Sequence, residues 1–157
     1  MRDADQETWY RFFITCHARP EPRLASEPSV GDGQPSPLNI APLDISPGDL
    51  TLPMAVTFEE ACESLSGLSR MFCEPDGSFV WRQGTDPMWQ VDGVLYDAAP
   101  GLMYVEMKGA CPAVEFDRLL VSLGHDRVPL VFQLVQEGRI LDEAAFRHWA
   151  HEQWNAG

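Results

Sequence analysis

The fold is decided by five runs of sequence: FVWRQ at 79–83, MWQVDGVLYD at 88–97, LMYVEMKG at 102–109, PAVEFDRLLVSLG at 112–124 and PLVFQLV at 129–135. Four of these runs are rich in β-branched and aromatic residues and are bounded by turn residues, which is typical of strands. The run at 112–124 instead has apolar residues at helical spacing. The pattern therefore predicts three strands, a helix and a fourth strand.

Together these elements predict an α+β domain. The first three strands are expected to form a mostly antiparallel meander, followed by a crossover helix and a returning strand. Along the third strand two sets alternate, with Met103, Val105 and Met107 on one face and Tyr104, Glu106 and Lys108 on the other. We therefore expect flanking helices to cover one face of the sheet while the other face meets water. The order of elements is loosely ferredoxin-like, which is a statement about topology and carries no function.

The chain divides into three parts by composition. Residues 1–16 form an aromatic segment whose spacing fits a short helix or a strand. The sequence allows three roles for it: a docking peptide, a segment packed on its own domain, or an unstructured extension. Residues 17–49 include seven prolines between Pro20 and Pro47, which predicts a linker or a segment laid over the surface. Residues 50–157 are expected to form a single α+β domain.

Helix ends are marked clearly within this domain. Thr57 and Glu60 have the spacing of a capping box ahead of a helix. Gly124 suits the left-handed position after the crossover helix, and Asp142 is expected to cap the last helix at its N-terminus.

The charge of the chain excludes several classes of partner. The formal net charge is −13, of which −4 falls on residues 1–57 and −9 on residues 58–157. An acidic surface of this extent repels phosphate backbones and anionic lipid. We therefore expect no nucleic-acid or membrane partner, and the expected partner is another protein or a small molecule.

The four cysteines are widely spaced, at Cys16, Cys62, Cys73 and Cys111. This spacing is neither a disulfide framework nor a zinc signature. The N-terminus lacks the pattern of a signal peptide, and no apolar run is long enough to span a bilayer. A cytoplasmic location is therefore expected.

Two groups are candidates for catalysis. Cys111 is expected at the N-terminus of the crossover helix, where the helix dipole favours a thiolate, and Lys108 assists if the loop folds back. Asp92 and Glu106 lie on neighbouring strands and suit general acid–base chemistry. For each group the sequence also allows an ordinary structural role, a packed thiol or a cross-strand charge pair between Asp92 and Lys108.

The candidates for binding are aromatic. Four aromatic residues of the meander either fill the core or form a recognition surface, because the strand register is not fixed by sequence: Trp81, Trp89, Tyr96 and Tyr104. Of these, Trp81, Trp89 and Tyr104 are selected as binding residues, together with Glu106 beside Tyr104. His148 and His151 are three residues apart on the last helix and could supply only half of a metal site, so no metal and no cofactor are expected. The sequence thus predicts a non-enzymatic binding or interaction module that uses the open sheet face. The alternative is a small enzyme that uses Cys111 or the pair Asp92 and Glu106.

Overall fold

A seven-stranded antiparallel sheet organises the computed structural model, which describes residues 7–20, 43, 45–99 and 101–157. The strands are β1 (Trp9–Ala18), β2 (Met71–Cys73), β3 (Ser78–Gln83), β4 (Trp89–Ala98), β5 (Gly101–Pro112), β6 (Leu130–Leu134) and β7 (Ile140–Leu141). The helices are α1 (Phe58–Ser66), α2 (Ala113–Ser122) and α3 (Glu143–Ala156), and a 3-10 turn spans Pro47–Asp49. The predicted α+β class is confirmed.

The sheet is larger than the sequence predicted. Its order is β2-β3-β4-β5-β1-β6-β7, so β6 pairs with β1 rather than returning beside β5. The three-strand description and the ferredoxin-like order are therefore not confirmed. Residues of the N-terminal aromatic segment and of 17–49 form β1, an interior strand that pairs with β5 and β6. Most of the remaining residues of 17–49 lie outside the described residues.

The sequence of β1 does not show the apolar–polar alternation that identifies a strand. Its even-numbered residues, such as Tyr10 and Phe12, enter the main core. On the other face Trp9 and Phe13 are also aromatic, although Arg11 between them is exposed. Aromatic residues on both faces remove the apolar–polar alternation by which strands are recognised. For this reason the spacing of its aromatic residues fitted a helix equally well.

The core lies between one face of the sheet and the three helices. Phe116 of α2 and Phe146 of α3 contact the rings of Tyr10 and Phe12. At the other end of the sheet, α1 packs against β2 and β4. We call this side of the sheet the covered face and the opposite side the open face.

Local signals at the helix ends are confirmed. The Thr57 hydroxyl accepts a hydrogen bond from the Glu60 N–H at 3.0 Å, and the Thr57 N–H donates to the Glu60 carboxylate at 2.9 Å. Asp142 accepts from the Ala145 N–H at 2.8 Å at the start of α3. Gly124 follows α2 with a φ of 88°, the left-handed conformation that glycine adopts without strain.

A bulge changes which side chains of β5 face the core. The pairing of β4 with β5 shifts between Tyr96 and Asp97, so Leu102 enters the core in the place predicted for Met103. Val105 and Met107 lie on the covered face as expected. The extra residue of a bulge reverses the alternation on one side of it, and a sequence pattern read at constant period does not register this.

Candidate functional site

The open face carries a row of three stacked rings, which we call the aromatic row: Tyr96, Tyr104 and His17. Tyr96 and Tyr104 are direct cross-strand neighbours on β4 and β5, with ring centroids 4.5 Å apart and planes inclined by 22°. The Tyr104 and His17 rings stack at 5.2 Å and 25°. The three rings therefore form one stack that crosses the adjacent strands β4, β5 and β1.

The outer end of the row is accessible and polar. Tyr96 is 38% exposed, and its hydroxyl donates to Glu106 Oε1 at 3.2 Å. The negative charge of Glu106, together with this hydrogen bond, raises the pKa of Tyr96. The hydroxyl of Tyr96 is thus oriented by Glu106 while its ring is partly exposed to solvent.

The inner end of the row is fixed. His17 is only 8% exposed, and its Nε2 lies 2.8 Å from the hydroxyl oxygen of Thr15, the residue two positions earlier in the same strand. Burial lowers the pKa of His17 to about 4 from its ordinary value of 6.5. A neutral, immobile imidazole therefore supports the row from behind.

An apolar strip extends from the row toward the edge of the sheet, formed by Val94, Val80 and Phe72. Val94 precedes Tyr96 on the same side of β4, and Phe72 pairs directly with Val80. Phe72 is 60% exposed, which is unusual for a phenylalanine that has a core nearby. The strip and the row lie on the same face of five neighbouring strands, and we call them together the band.

Two of the predicted site residues border this band. Asp92 is the cross-strand neighbour of Val80, and Glu106 is the cross-strand neighbour of Val94. Their partners differ, since Asp92 accepts a hydrogen bond from Gln90 at 2.9 Å whereas Glu106 accepts from Tyr96. Each carboxylate is thus engaged separately, and the arrangement flanks an apolar surface rather than forming a shared proton site.

Cys111 lies in a different environment from the one predicted. β5 continues to Pro112, so Cys111 is a strand residue on the covered face, fully buried opposite Tyr10. Burial raises the pKa of its thiol, and the charges of Glu115 and Asp117 act in the same direction. Lys108 is an odd number of positions away and lies on the open face, so the predicted assistance is absent.

The two tryptophans of the predicted binding set also lie on the covered face. Trp81 is buried and donates from its indole N–H to the carbonyl of Ser69 at 2.8 Å. Trp89 is half-buried and meets Trp81 edge to face at 4.9 Å. Of the four predicted binding residues, Tyr104 and Glu106 belong to the open face.

The histidines of α3 have separate structural partners. His148 lies 3.6 Å from Glu152, and His151 Nδ1 lies 3.1 Å from the carbonyl of Trp9. Within the described ranges, no group of three or more His, Cys, Asp or Glu side chains is arranged to hold a metal ion. In the same ranges no helix combines the length and the apolar character required to cross a membrane.

Sequence reasoning missed four members of the band. His17 falls in the predicted proline-rich part of the chain, and Phe72, Val80 and Val94 are not among the candidates. Tyr96 is grouped with the aromatic candidates, but its face is not assigned. The alternation of β4 was a usable signal for Tyr96, because Val91 and Leu95 point to the core from odd positions. Comparison of the chain with protein-family models, curated proteins and solved structures finds no match.

Proposed function

We propose that this chain is a non-enzymatic protein-binding module that holds a basic, partly apolar polypeptide segment on its open face. The observation that carries the proposal is the band of Phe72, Val80, Val94 and the aromatic row, which lie on one side of the sheet, while the described helices pack on the other side. The end of α3 reaches the band's side at Trp9, on which Trp154 stacks at 4.8 Å.

The band has the properties of an interaction surface. Aromatic rings supply large contact area at low cost in conformational entropy, and such residues dominate the energy of protein interfaces. The stacking of Tyr96 on Tyr104 and the anchoring of His17 hold the rings before a partner arrives. Preorganisation of this kind lowers the entropic cost of binding.

Charge favours a basic partner. The protein carries 24 acidic and 11 basic side chains, and Asp92 and Glu106 border the band itself. An acidic field speeds the approach of a positively charged segment and disfavours nucleic acid and anionic lipid. The expected ligand therefore has Lys or Arg beside aliphatic or aromatic side chains.

The enzymatic alternative has no observation in its favour. The thiol of Cys111 is buried and its pKa is raised. The carboxylates of Asp92 and Glu106 have separate hydrogen-bond partners. We also expect a reducing, cytoplasmic setting, because none of the four cysteines, all of which lie in the described ranges, is in a disulfide.

Selection of peptides from a random library displayed on phage tests the proposal. Full-length protein should enrich peptides that combine basic and aromatic residues. Tyr96→Ala and Phe72→Ser should each raise the Kd of a selected peptide by about tenfold or more, the loss typical of an interface hot spot. Fluorescence anisotropy with a labelled peptide measures this change.

The matched control is Val121→Ala, an exposed aliphatic residue of α2 on the other side of the molecule. It should leave the Kd unchanged. Peptides that bind equally well to the two open-face variants, or that lose affinity in the Val121 variant alone, would contradict the proposal. Enrichment of acidic peptides would contradict its charge assignment.

A further inference from the structure

One edge of β1 is only partly occupied. The N–H and C=O groups of odd-numbered β1 residues point toward β6, as shown by Phe13, whose carbonyl accepts from the Val135 N–H at 3.1 Å. The β1–β6 ladder begins at Ile14 and Leu134. Before that point α3 takes the place of a strand, where His151 meets the carbonyl of Trp9.

Arg11 lies in the gap between these two contacts. Backbone groups alternate in direction along a strand, so the N–H and C=O of Arg11 point to the same side as those of Trp9 and Phe13. Among the residues the structure describes, neither group has a backbone partner. An unpaired strand edge is a template for hydrogen bonds to a ligand.

A cavity of about 260 Å³ opens at this gap, between β1, the turn after β6 and α3. Phe13 and Trp149 provide aromatic walls, and Gln153 provides an amide. Arg11 and Lys108 also line it. The volume is slightly below the range of about 300–1,000 Å³ for drug-sized ligands, so a small ligand is indicated.

Two cations line the cavity, and each has a known neighbour: Asp92 is the cross-strand neighbour of Lys108, and Gly157 lies against the Arg11 guanidinium. Lys108, the single lysine of the chain, has its ammonium 5.0 Å from the ring centre of Phe13. The Arg11 guanidinium lies 5.1 Å from the ring centre of Trp154. Within the described ranges neither side chain forms an ion pair, although the protein as a whole has an excess of acids.

The one carboxylate side chain among the residues that line the cavity forms an ion pair. Glu137, in the turn after β6, lies 3.2 Å from the guanidinium of Arg139. Arg11 and Lys108 are therefore the charged side chains of the lining for which the described residues provide no ion pair.

We infer that the cavity beside Arg11 is a binding site for a small carboxylate that carries an apolar or aromatic body. The carboxylate accepts a hydrogen bond from the backbone N–H of Arg11 and is attracted by the positive charges of Arg11 and Lys108. Hydrogen bonds to a charged group are stronger than those between neutral groups. The body of the ligand lies against Phe13 and Trp149. Both a free organic acid and the C-terminal residue of a polypeptide present this chemistry.

This site is independent of the open-face function. Its ligand is anionic where the open-face ligand is basic, and Tyr96 and Phe72 do not line the cavity. Tyr96→Ala should therefore leave carboxylate binding unchanged, so that failure of either proposal can be recognised separately.

NMR titration of the full chain with 3-phenylpropionate tests the inference. The amide signal of Arg11 should shift on addition of the acid, and 3-phenylpropionamide, which has the same body without the charge, should not bind measurably. Arg11→Met and Lys108→Met should each raise the Kd by about tenfold, since a charged hydrogen bond contributes at least about 1.5 kcal/mol.

Arg82→Met is the matched control, because Arg82 is an exposed arginine on β3 that does not line the cavity. Equal binding of acid and amide, unchanged affinity in both cavity variants, or shifts that avoid Arg11 would overturn the inference. Lys108→Met provides the test if the Arg11 variant does not fold.

A second arm separates the two sources of the ligand. A short peptide that ends in phenylalanine is titrated with a free and with an amidated C-terminus. Tighter binding of the free peptide than of 3-phenylpropionate assigns the site to a chain end, and the reverse order assigns it to a small acid. Equal affinity of the free and amidated peptides, together with no binding of 3-phenylpropionate, would contradict a carboxylate site.

Discussion

The two faces of the sheet use aromatic side chains in opposite ways. On the covered face, Phe116, Phe132 and Phe146 are fully buried and contact one another. On the open face, Tyr96 and Tyr104 stack in a row whose outer ring is exposed. The covered-face rings therefore stabilise the fold, whereas the open-face rings are the ones that the proposed function assigns to a partner.

The largest expected effect is on the covered face. Phe146→Ala removes a ring that stacks on Phe132 at 4.5 Å and packs against Phe116 at 5.3 Å. Truncation of a fully buried phenylalanine leaves a cavity, so the free energy of unfolding should fall by about 4 kcal/mol. Urea denaturation followed by circular dichroism measures the change, with Val121→Ala as an exposed control expected to stay within about 0.5 kcal/mol.

The next effect is a pH dependence that originates on the open face. Because burial lowers the pKa of His17 to about 4 in the folded protein, the unfolded chain binds the proton more tightly. Above about pH 6.5 His17 is neutral in both states and does not lower the free energy of unfolding. As the pH falls from about 6.5 toward 4, the unfolded chain takes up the proton first and the free energy of unfolding falls. The loss should approach about 3 kcal/mol.

His17→Gln provides the comparison for this effect. Denaturation midpoints of the variant should change less than those of the original protein between pH 6.5 and 4.5. Parallel pH profiles for the two proteins would show that His17 is not the group responsible.

A third prediction concerns the contact between β3 and β4 on the covered face. The ring of Phe79 lies over Gly93, and a Cβ at that position would be 2.1 Å from Phe79 Cζ. Gly93→Ala should therefore destabilise the protein by about 2 kcal/mol through overpacking. Gly84→Ala, where a Cβ meets open space, is the control, and similar thermal midpoints for both variants would contradict the close approach.

The smallest effect on stability is expected for Tyr96→Ala on the open face. This change removes one stacking contact and one exposed hydrogen bond, so the free energy of unfolding should fall by about 1 kcal/mol or less. The same variant should lose peptide affinity by about tenfold. A large loss of stability with no loss of affinity would reverse the roles assigned to the two faces.

Much of the fold was predictable from the sequence because its signals are local. The capping hydrogen bonds of Thr57, Glu60 and Asp142 join residues only three positions apart. The alternation along β5 assigns Tyr104, Glu106 and Lys108 to one face. The interior position of β1 was not predictable, because its pairing with β6 joins residues more than a hundred positions apart in the chain. Cys111 was misplaced because β5 extends to the residue before α2.

The candidate site was predictable only in part for the same reason. Tyr104 and Glu106 follow from alternation within one strand. The face of Trp81 and Trp89 depends on the register of β3 with β4, in which Trp81 pairs with Val91 and Gln83 with Trp89. His17 reaches the row only through the pairing of β1 with β5.

The most direct test of the open-face account is an NMR titration of the full chain with a peptide selected by phage display. The account predicts that the largest amide shifts fall on the band and its border, at Val94, Tyr96, Tyr104 and Glu106, and that they disappear in Tyr96→Ala. Shifts concentrated on α1 and α2, with the open face unchanged, would contradict it.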